Sequence, residues 1–212
     1  MSNEVKTYLK YANLQMASEA LLDRFPVSIV QGLKQALEFG NNRSSKFTQA
    51  QADQFVADGW TVVEHKSNTA TGFSGTLFKN NSTGELVLSF RSTEFADDAA
   101  RDNQATNGME IRPFGWAFGQ ISDMQRWVDS LLDNNKINLS STLTVTGYSL
   151  GGHLATAFEL LYPNTATSIY TFNGAGVGRI ESGTSLKQIV DAFDQRRSLG
   201  ANADLFTHAQ VR

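Results

Sequence analysis

The stretch that decides the fold is Gly147-Tyr148-Ser149-Leu150-Gly151, together with the residues on either side of it. Residues 142–146, TLTVT, are β-branched or apolar, which predicts a buried strand. After the pentapeptide, apolar side chains recur at the spacing of one helix face, at Leu150, Leu154, Phe158 and Leu161. The chain is therefore expected to leave a strand, reverse sharply with a serine at the apex, and enter a helix.

The two flanking glycines fit this reversal. A side chain at Gly147 or Gly151 is expected to crowd so tight a turn. A serine held between a strand and a helix in this way is typical of the nucleophile of serine hydrolases. Because the predicted strand and helix lie on the correct sides, the pentapeptide indicates a catalytic Ser149 rather than a chance match.

The composition is ordinary for a globular chain. Its 212 residues are 41% apolar and 18% charged, enough to bury a core within one domain. A net charge of −3 argues against nucleic acid or an anionic membrane as an electrostatic partner. The absence of cysteine excludes disulfides, thiol catalysis and thiolate metal sites. The three histidines are too few for a His-rich metal centre, and the acidic residues lack a regular ligand spacing, so no metal is predicted.

No membrane-spanning segment is expected, because no stretch approaches the roughly 20 apolar residues that a transmembrane helix needs. Residues 1–22 lack a basic start and a continuous apolar centre, so they do not resemble a Sec-type signal peptide. The sequence therefore favours cytoplasmic residence. Export by a route that uses a C-terminal signal is the alternative.

The order of the predicted elements indicates an α/β fold. Residues 1–58 read as helices, one of which starts at the capping box formed by Thr48 and Gln51. From residue 60 onward, predicted strands alternate with predicted helices. We therefore expect one domain over residues 1–212, with a central, mostly parallel sheet and helices on both faces. Residues 205–211 alternate as a strand does at its start, so we expect the natural chain to continue past Arg212.

Three segments resemble the class 3 lipases of the α/β-hydrolase fold, and more closely the bacterial lipase domains attached to calcium-binding repeats. Residues 86–95, LVLSFRSTEF, are similar to the strand of that family that ends in Phe-Arg-Gly-Ser/Thr. Residues 145–155, VTGYSLGGHLA, resemble its nucleophile elbow, and residues 170–178, YTFNGAGVG, its next strand and turn. Their order and spacing match across residues 60–180.

The resemblance implies roles for three residues and no cofactor. Ser149 would be the nucleophile that accepts the acyl group. The oxyanion hole would consist of the backbone N–H of Leu150 and a donor from Thr93, which stands at the position of the oxyanion Ser/Thr in the family. Ser92 departs from the pattern, because glycine is usual there.

The sequence leaves two hypotheses for the base and acid that would serve Ser149. The fold places the acid and then the histidine after the serine, so His65 is expected to be structural, and His153, one turn along the same helix, is expected to be packed there. His208 follows the elbow, although the family usually has its acid at that distance. One candidate set combines His208 with one of Asp191, Asp194 and Asp204. The other hypothesis places both partners beyond Arg212.

In the family that this chain resembles, the segment after the oxyanion strand commonly forms a lid over an apolar cleft. The corresponding segment here would be residues 94–115. Its inner surface would include the apolar residues Ile111, Pro113, Phe114, Trp116 and Phe118. A lid implies a hydrophobic acyl ester as substrate and transient contact with a lipid interface. The alternative is that these aromatic residues belong to the core and the acidic part of the segment is only a solvated loop.

Taken together, the sequence predicts a carboxylic ester hydrolase that acts through an acyl-enzyme on Ser149. Two alternatives stay open. The same elbow also serves phospholipases and thioesterases. A non-catalytic, hydrolase-like module is favoured by the lack of a convincing histidine–aspartate pair. The oligomeric state is not predicted.

Overall fold

The computed structural model describes residues 2–41, 45–92, 115–138, 142–180 and 182–198. This part of the chain contains a short 3₁₀ turn at Leu22–Arg24 and six α-helices: α1 (Asn3–Ser18), α2 (Val30–Phe39), α3 (Gln49–Ala57), α4 (Phe118–Asp133), α5 (Leu150–Leu161) and α6 (Leu186–Ser198). It also contains five strands: β1 (Trp60–Lys66), β2 (Gly75–Asn80), β3 (Leu86–Phe90), β4 (Leu143–Tyr148) and β5 (Ser168–Phe172). The fold is α/β, as predicted.

The five strands form one sheet in the order in which they occur along the chain. Strands β1, β2 and β3 pair antiparallel, whereas β3, β4 and β5 pair parallel. Two of the four strand pairs are thus antiparallel, whereas the sequence predicts a mostly parallel sheet. The loops before β2 and before β3 are too short for a parallel crossover, so these strands pair antiparallel. The three parallel strands are those that carry the predicted site.

One face of the sheet is covered by the N-terminal helices. Helices α1, α2 and α3 enclose a core to which β2 contributes Phe78 and β3 contributes Val87. The N-cap residue of α3 is Thr48, whose side chain forms the predicted capping box with that of Gln51. The helices described within residues 2–58 pack on this face of the sheet.

The opposite face is covered by α4, α5 and α6. Their core includes the alternate residues of β3 and β4, such as Leu88 and Val145, because successive side chains of a strand point to opposite faces. On α5, the predicted inward face is confirmed for Leu154 and Phe158, both fully buried. Helices therefore lie on both faces of the sheet. None of the described helices is long and apolar enough to cross a membrane.

The first helix is shorter than its apolar pattern suggests. Apolar spacing predicts a helix from Val5 to Leu22, but α1 ends at Ser18 and Glu19 caps it. The side chain of Ser18 donates a hydrogen bond to the carbonyl of Gln15, which satisfies one carbonyl of the last turn. The predicted strand at 205–211 lies outside the described residues.

Candidate active site

Ser149 lies at the apex of the turn between β4 and α5, with backbone angles φ 52° and ψ −115°. A non-glycine residue at positive φ is uncommon, and such strain persists only where the surrounding structure enforces it. The side chain is half-buried and makes no capping hydrogen bond to α5. This turn, the elbow, has the strand–turn–helix arrangement that the sequence predicts.

Three glycines make this turn possible. A Cβ atom at Gly147 would lie less than 3.0 Å from the backbone of Gly151. A Cβ atom at Gly151 would lie less than 3.0 Å from the carbonyl oxygen of Phe90 on β3. A Cβ atom at Gly152 would lie 2.8 Å from the Cα atom of Gly174 in the turn after β5. The predicted crowding is therefore confirmed, and it involves the two neighbouring parallel strands as well as the turn itself.

Hydrogen bonds hold the serine backbone between β5 and the turn that follows it. The N–H of Ser149 donates to the carbonyl of Phe172 at 3.0 Å, and the carbonyl of Ser149 accepts from the N–H of Ala175 at 2.9 Å. Because Gly147 on β4 is in register with Phe90 on β3, the carboxyl ends of three parallel strands meet at the elbow. Ligands of open α/β sheets bind at this edge.

The N-terminus of α5 supplies the first predicted oxyanion donor. Leu150 is the first residue of the helix and is buried. Its N–H is one of the four at a helix start that lack an intrahelical acceptor, and the helix dipole favours negative charge there. The family resemblance implies that this N–H is a donor to the oxyanion, and that role stays a prediction.

His153 is buried and fully hydrogen-bonded. Its Nε2 atom accepts from the N–H of Ala117 at 3.1 Å, which leaves Nδ1 as the protonated nitrogen that donates to the carbonyl of Gly176 at 3.0 Å. Burial lowers the pKa of this imidazole, and its ring packs 5.4 Å from that of Trp116. Because both nitrogens are occupied, His153 joins α4 to the turn after β5, as expected for a packed histidine.

The remaining described candidates make other contacts. His65 lies on β1, where its Nδ1 atom is 2.9 Å from Thr76 Oγ1 and burial lowers its pKa to about 4. On α6, Asp191 pairs with Lys187 at 2.8 Å, and Asp194 pairs with Arg126 of α4 at 2.9 Å. Neither aspartate is bonded to a histidine in the described part of the chain. Thr93, Asp204 and His208 lie outside it, so their roles stay predictions.

Sequence reasoning missed one polar contact beside the elbow. The buried carboxylate of Glu19, at the end of α1, accepts hydrogen bonds from both the N–H and the hydroxyl of Ser92, each at 2.8 Å. Ser92 stands just past β3 and directly before Thr93. The only sequence signal for this contact was Ser92 itself, which stands where the family usually has glycine. A glutamate at the end of a helix does not by itself predict a buried contact.

The apolar residues assigned to a lid lie partly within the described chain. Trp116 and Phe118 are 1% and 2% exposed and belong to the core on the α4 face. This placement favours the alternative that the sequence left open, in which these aromatics are core residues. The other three residues of the predicted inner surface, and residues 94–114 as a whole, lie outside the described part. No group of residues suited to a metal ion occurs among the described ones.

The fold is similar to that of solved fungal lipases. A Rhizomucor miehei lipase in a propeptide complex aligns with 81% of this chain and 51% of its own length, at 14% identity and a TM-score of 0.50. The Rhizomucor miehei triacylglyceride lipase aligns with 81% of this chain and 62% of its own length, at 16% identity and a TM-score of 0.50. The Lip2 lipase from Yarrowia lipolytica aligns with 84% of this chain and 60% of its own length, at 17% identity and a TM-score of 0.50.

The chain thus spans about half to three-fifths of the length of these lipases. No protein-family model and no curated protein sequence matches it. At such low identity the likeness speaks for the fold alone. With its central sheet, its helices on both faces and its strained elbow, the described chain has an α/β-hydrolase-like fold of the kind seen in fungal lipases.

Proposed function

We propose that this protein is a carboxylic ester hydrolase that acts through an acyl-enzyme on Ser149. The observation that carries the proposal is the backbone of Ser149, a strained residue at the apex of a glycine-flanked turn, immediately before the N-terminus of α5. Strain of this kind is found at functional sites, and here it presents a hydroxyl beside a helix start. The similarity of the fold to that of fungal lipases supports the same reaction class.

The proposed reaction has two balanced steps. A base takes the proton of the Ser149 hydroxyl while Oγ attacks the ester carbonyl carbon, and the carbonyl electrons move to the oxygen. When that tetrahedral intermediate collapses, the ester C–O bond breaks and the alcohol leaves with the proton from the base. Water then attacks the acyl-enzyme in the same manner, which releases the acid and restores the serine.

Two donors would stabilise the oxyanion in both steps. One is the N–H of Leu150, which the helix start leaves without an intrahelical acceptor. The other is Thr93, proposed from its place in the sequence after the Phe-Arg strand. Loss of one donor of this type costs about 10²–10³ in rate. His208 with Asp191, Asp194 or Asp204 remains one hypothesis for the base and its acid.

The proposed substrates are hydrophobic acyl esters, met at a lipid interface through a lid formed by residues 94–115. The stronger resemblance to bacterial lipase domains attached to calcium-binding repeats is likewise a proposal. Cytoplasmic residence and export without an N-terminal signal peptide both stay open. Detection of the protein in the medium of its own host, with a cytoplasmic marker as control, would separate the two locations.

A fluorophosphonate probe tests the reaction class. We expect stoichiometric labelling of the folded protein, lost in Ser149→Ala and retained in Ser130→Ala, which removes an exposed serine of α4. Absence of labelling in the folded wild-type protein would favour the non-catalytic module. If labelling is found, hydrolysis rates on acylglycerols, phospholipids and acyl thioesters separate a lipase from a phospholipase or a thioesterase.

A further inference from the structure

Glu19 is an unusual residue in this fold because its carboxyl group is almost wholly buried. The residue is 3% exposed and stands at the C-terminal end of α1. Removing a carboxylate from water is costly unless hydrogen bonds and opposite charge compensate for it. Burial raises the pKa of this carboxyl group, while the hydrogen bonds from Ser92 and the charge of Arg91 lower it in part.

Attachment of α1 to the sheet does not by itself require this carboxylate. At the other end of β3, Glu85 already binds α1, accepting hydrogen bonds from Lys10 at 2.9 Å and Tyr11 at 2.7 Å. Near the carboxyl end of the strand, the hydroxyl of Ser89 donates to that of Ser18 at 2.8 Å. Glu19 is therefore a third connection between α1 and this part of the chain, and it differs from the other two because it bonds a residue past the end of β3.

The place where Glu19 acts is the edge of the sheet that carries the elbow. Its two bonds to Ser92 fix both the backbone and the side chain of the residue that follows Arg91. A Cβ atom at Gly151, in the first turn of α5, would lie 3.1 Å from the carbonyl oxygen of Arg91. The end of β3 thus runs directly against the helix that Ser149 begins, and Glu19 holds this end from the opposite face of the sheet.

We propose that Glu19 is a positioning residue of the active site, which fixes the end of β3 at Ser92 relative to Ser149. This inference rests on the proposed function. It assigns a role in catalysis to the N-terminal helical part, which the resemblance to known families leaves without one. Thr93, the proposed oxyanion donor, directly follows Ser92 in the sequence, so a fixed Ser92 preorganises the stabilisation of the transition state.

The test is the second-order rate of fluorophosphonate labelling, together with kcat and KM on an ester that the wild-type protein hydrolyses. For Glu19→Ala we expect labelling and kcat to fall about 10- to 100-fold, less than the roughly 10²–10³ expected for loss of a donor itself. We expect KM to stay nearly constant, because the contact matters in the transition state rather than in substrate binding. Glu19→Gln, which keeps one acceptor oxygen, is expected to recover part of the rate.

The matched control is Glu85→Gln, which weakens the connection between α1 and the far end of β3 and is expected to leave both rates unchanged. Since Glu19→Ala leaves the Ser92 N–H without its acceptor and risks misfolding, Ser92→Ala serves as a milder variant. It removes only the hydroxyl bond and is expected to slow labelling severalfold. All variants are compared at a temperature where each is folded by circular dichroism.

The outcomes separate the inference from the proposed function. Slower labelling in the Glu19 and Ser92 variants, but not in the Glu85 control, supports the positioning role. Equal rates in all folded variants would overturn that role and leave the hydrolase proposal intact. A wild-type protein that is folded and not labelled would overturn both. A slower rate in the Glu85 control as well would show a general effect of loosening α1, and would also overturn the specific role of Glu19.

Discussion

Gly151 lies so close to the carbonyl oxygen of Phe90 that a methyl group at position 151 cannot fit between α5 and β3. The obstacle is backbone on both sides, so it cannot be relieved by turning a side chain. We therefore expect Gly151→Ala to displace the start of α5 from the sheet. The predicted result is a loss of about 1–3 kcal/mol in the free energy of unfolding, measured by urea denaturation, and strongly reduced probe labelling of Ser149.

Gly176 provides the matched control for this substitution. It belongs to the same glycine-rich site, in the turn after β5, but a Cβ atom there would meet nothing within 4 Å. We expect Gly176→Ala to change stability by less than about 0.5 kcal/mol, the usual range for surface substitutions. Equal losses in the two variants would show that the close approach at Gly151 is not the reason for its glycine.

The strain at Ser149 predicts a difference between two inactive variants. Ser149→Ala and Ser149→Gly both lack the hydroxyl, but only glycine adopts φ 52° and ψ −115° without a steric penalty. The strain is worth about 1–3 kcal/mol, and the extra flexibility of unfolded glycine offsets about 0.5–1 kcal/mol of the gain. We expect the glycine variant to be about 1 kcal/mol more stable than the alanine variant by urea denaturation. Equal stability would mean that the turn is not strained.

His153 predicts a pH dependence of stability. Burial lowers the pKa of this imidazole below its ordinary value of 6.5, so the unfolded chain binds a proton that the folded chain rejects. Its contribution to stability is therefore present above pH 6.5 and is lost as the pH falls below it. The slope contributed is at most about 1.4 kcal/mol per pH unit. His65, whose pKa is lowered to about 4, acts in the same direction.

The measurement is the free energy of unfolding of the wild-type protein and of His153→Gln between pH 7.5 and 5. We expect the variant to be less stable by about 1–3 kcal/mol at pH 7.5, since a buried hydrogen bond is lost. We also expect the gap to narrow as the pH falls, because the variant has no imidazole to protonate. A gap of constant size would contradict the assignment. His65→Gln provides a parallel comparison at a histidine away from the elbow.

The buried pair of Ser18 and Ser89 predicts a non-additive double mutant. The hydroxyl of Ser89 donates to that of Ser18, and both residues are fully buried. Ser18→Ala leaves the buried Ser89 hydroxyl without this acceptor and is expected to cost about 1–3 kcal/mol, whereas in Ser89→Ala the Ser18 hydroxyl keeps its bond to the Gln15 carbonyl and the cost is smaller. Replacing both serines removes the unmet hydroxyl. We expect the double variant to lose less stability than the sum of the two single ones. Strict additivity in urea denaturation would show that the contact contributes nothing.

Most of the sheet and of the elbow could be predicted from the sequence, because both depend on short-range patterns. The sequence predicts strands at Leu86–Phe90 and Ser168–Phe172, because each is a mostly apolar or β-branched run ended by polar or glycine residues, and β3 and β5 have these bounds. The capping box at Thr48 is equally local, because its two partners lie three residues apart. The elbow combines two such patterns, a strand and a helix face, with glycines at a fixed spacing between them.

The contacts that complete the site were beyond such patterns. Glu19 and Ser92 lie 73 positions apart in the chain, and His153 is 36 positions from Ala117. Nothing near Glu19 in the sequence indicates that its carboxyl group becomes buried, since most glutamates at helix ends are solvated. The end of α1 was also not predictable from local spacing. The apolar spacing predicts a helix that continues to Leu22, where the structure has a 3₁₀ turn at Leu22–Arg24.

The sequence by itself determined that a serine stands between a strand and a helix with glycine on both sides, because the steric limits of a tight turn act within a few residues. Only the tertiary structure decided what surrounds that serine. Parallel strands β3, β4 and β5 bring their carboxyl ends together at Ser149, and α1 reaches the same edge from the other face of the sheet. Packing sets these neighbours, and packing joins residues that are far apart along the chain.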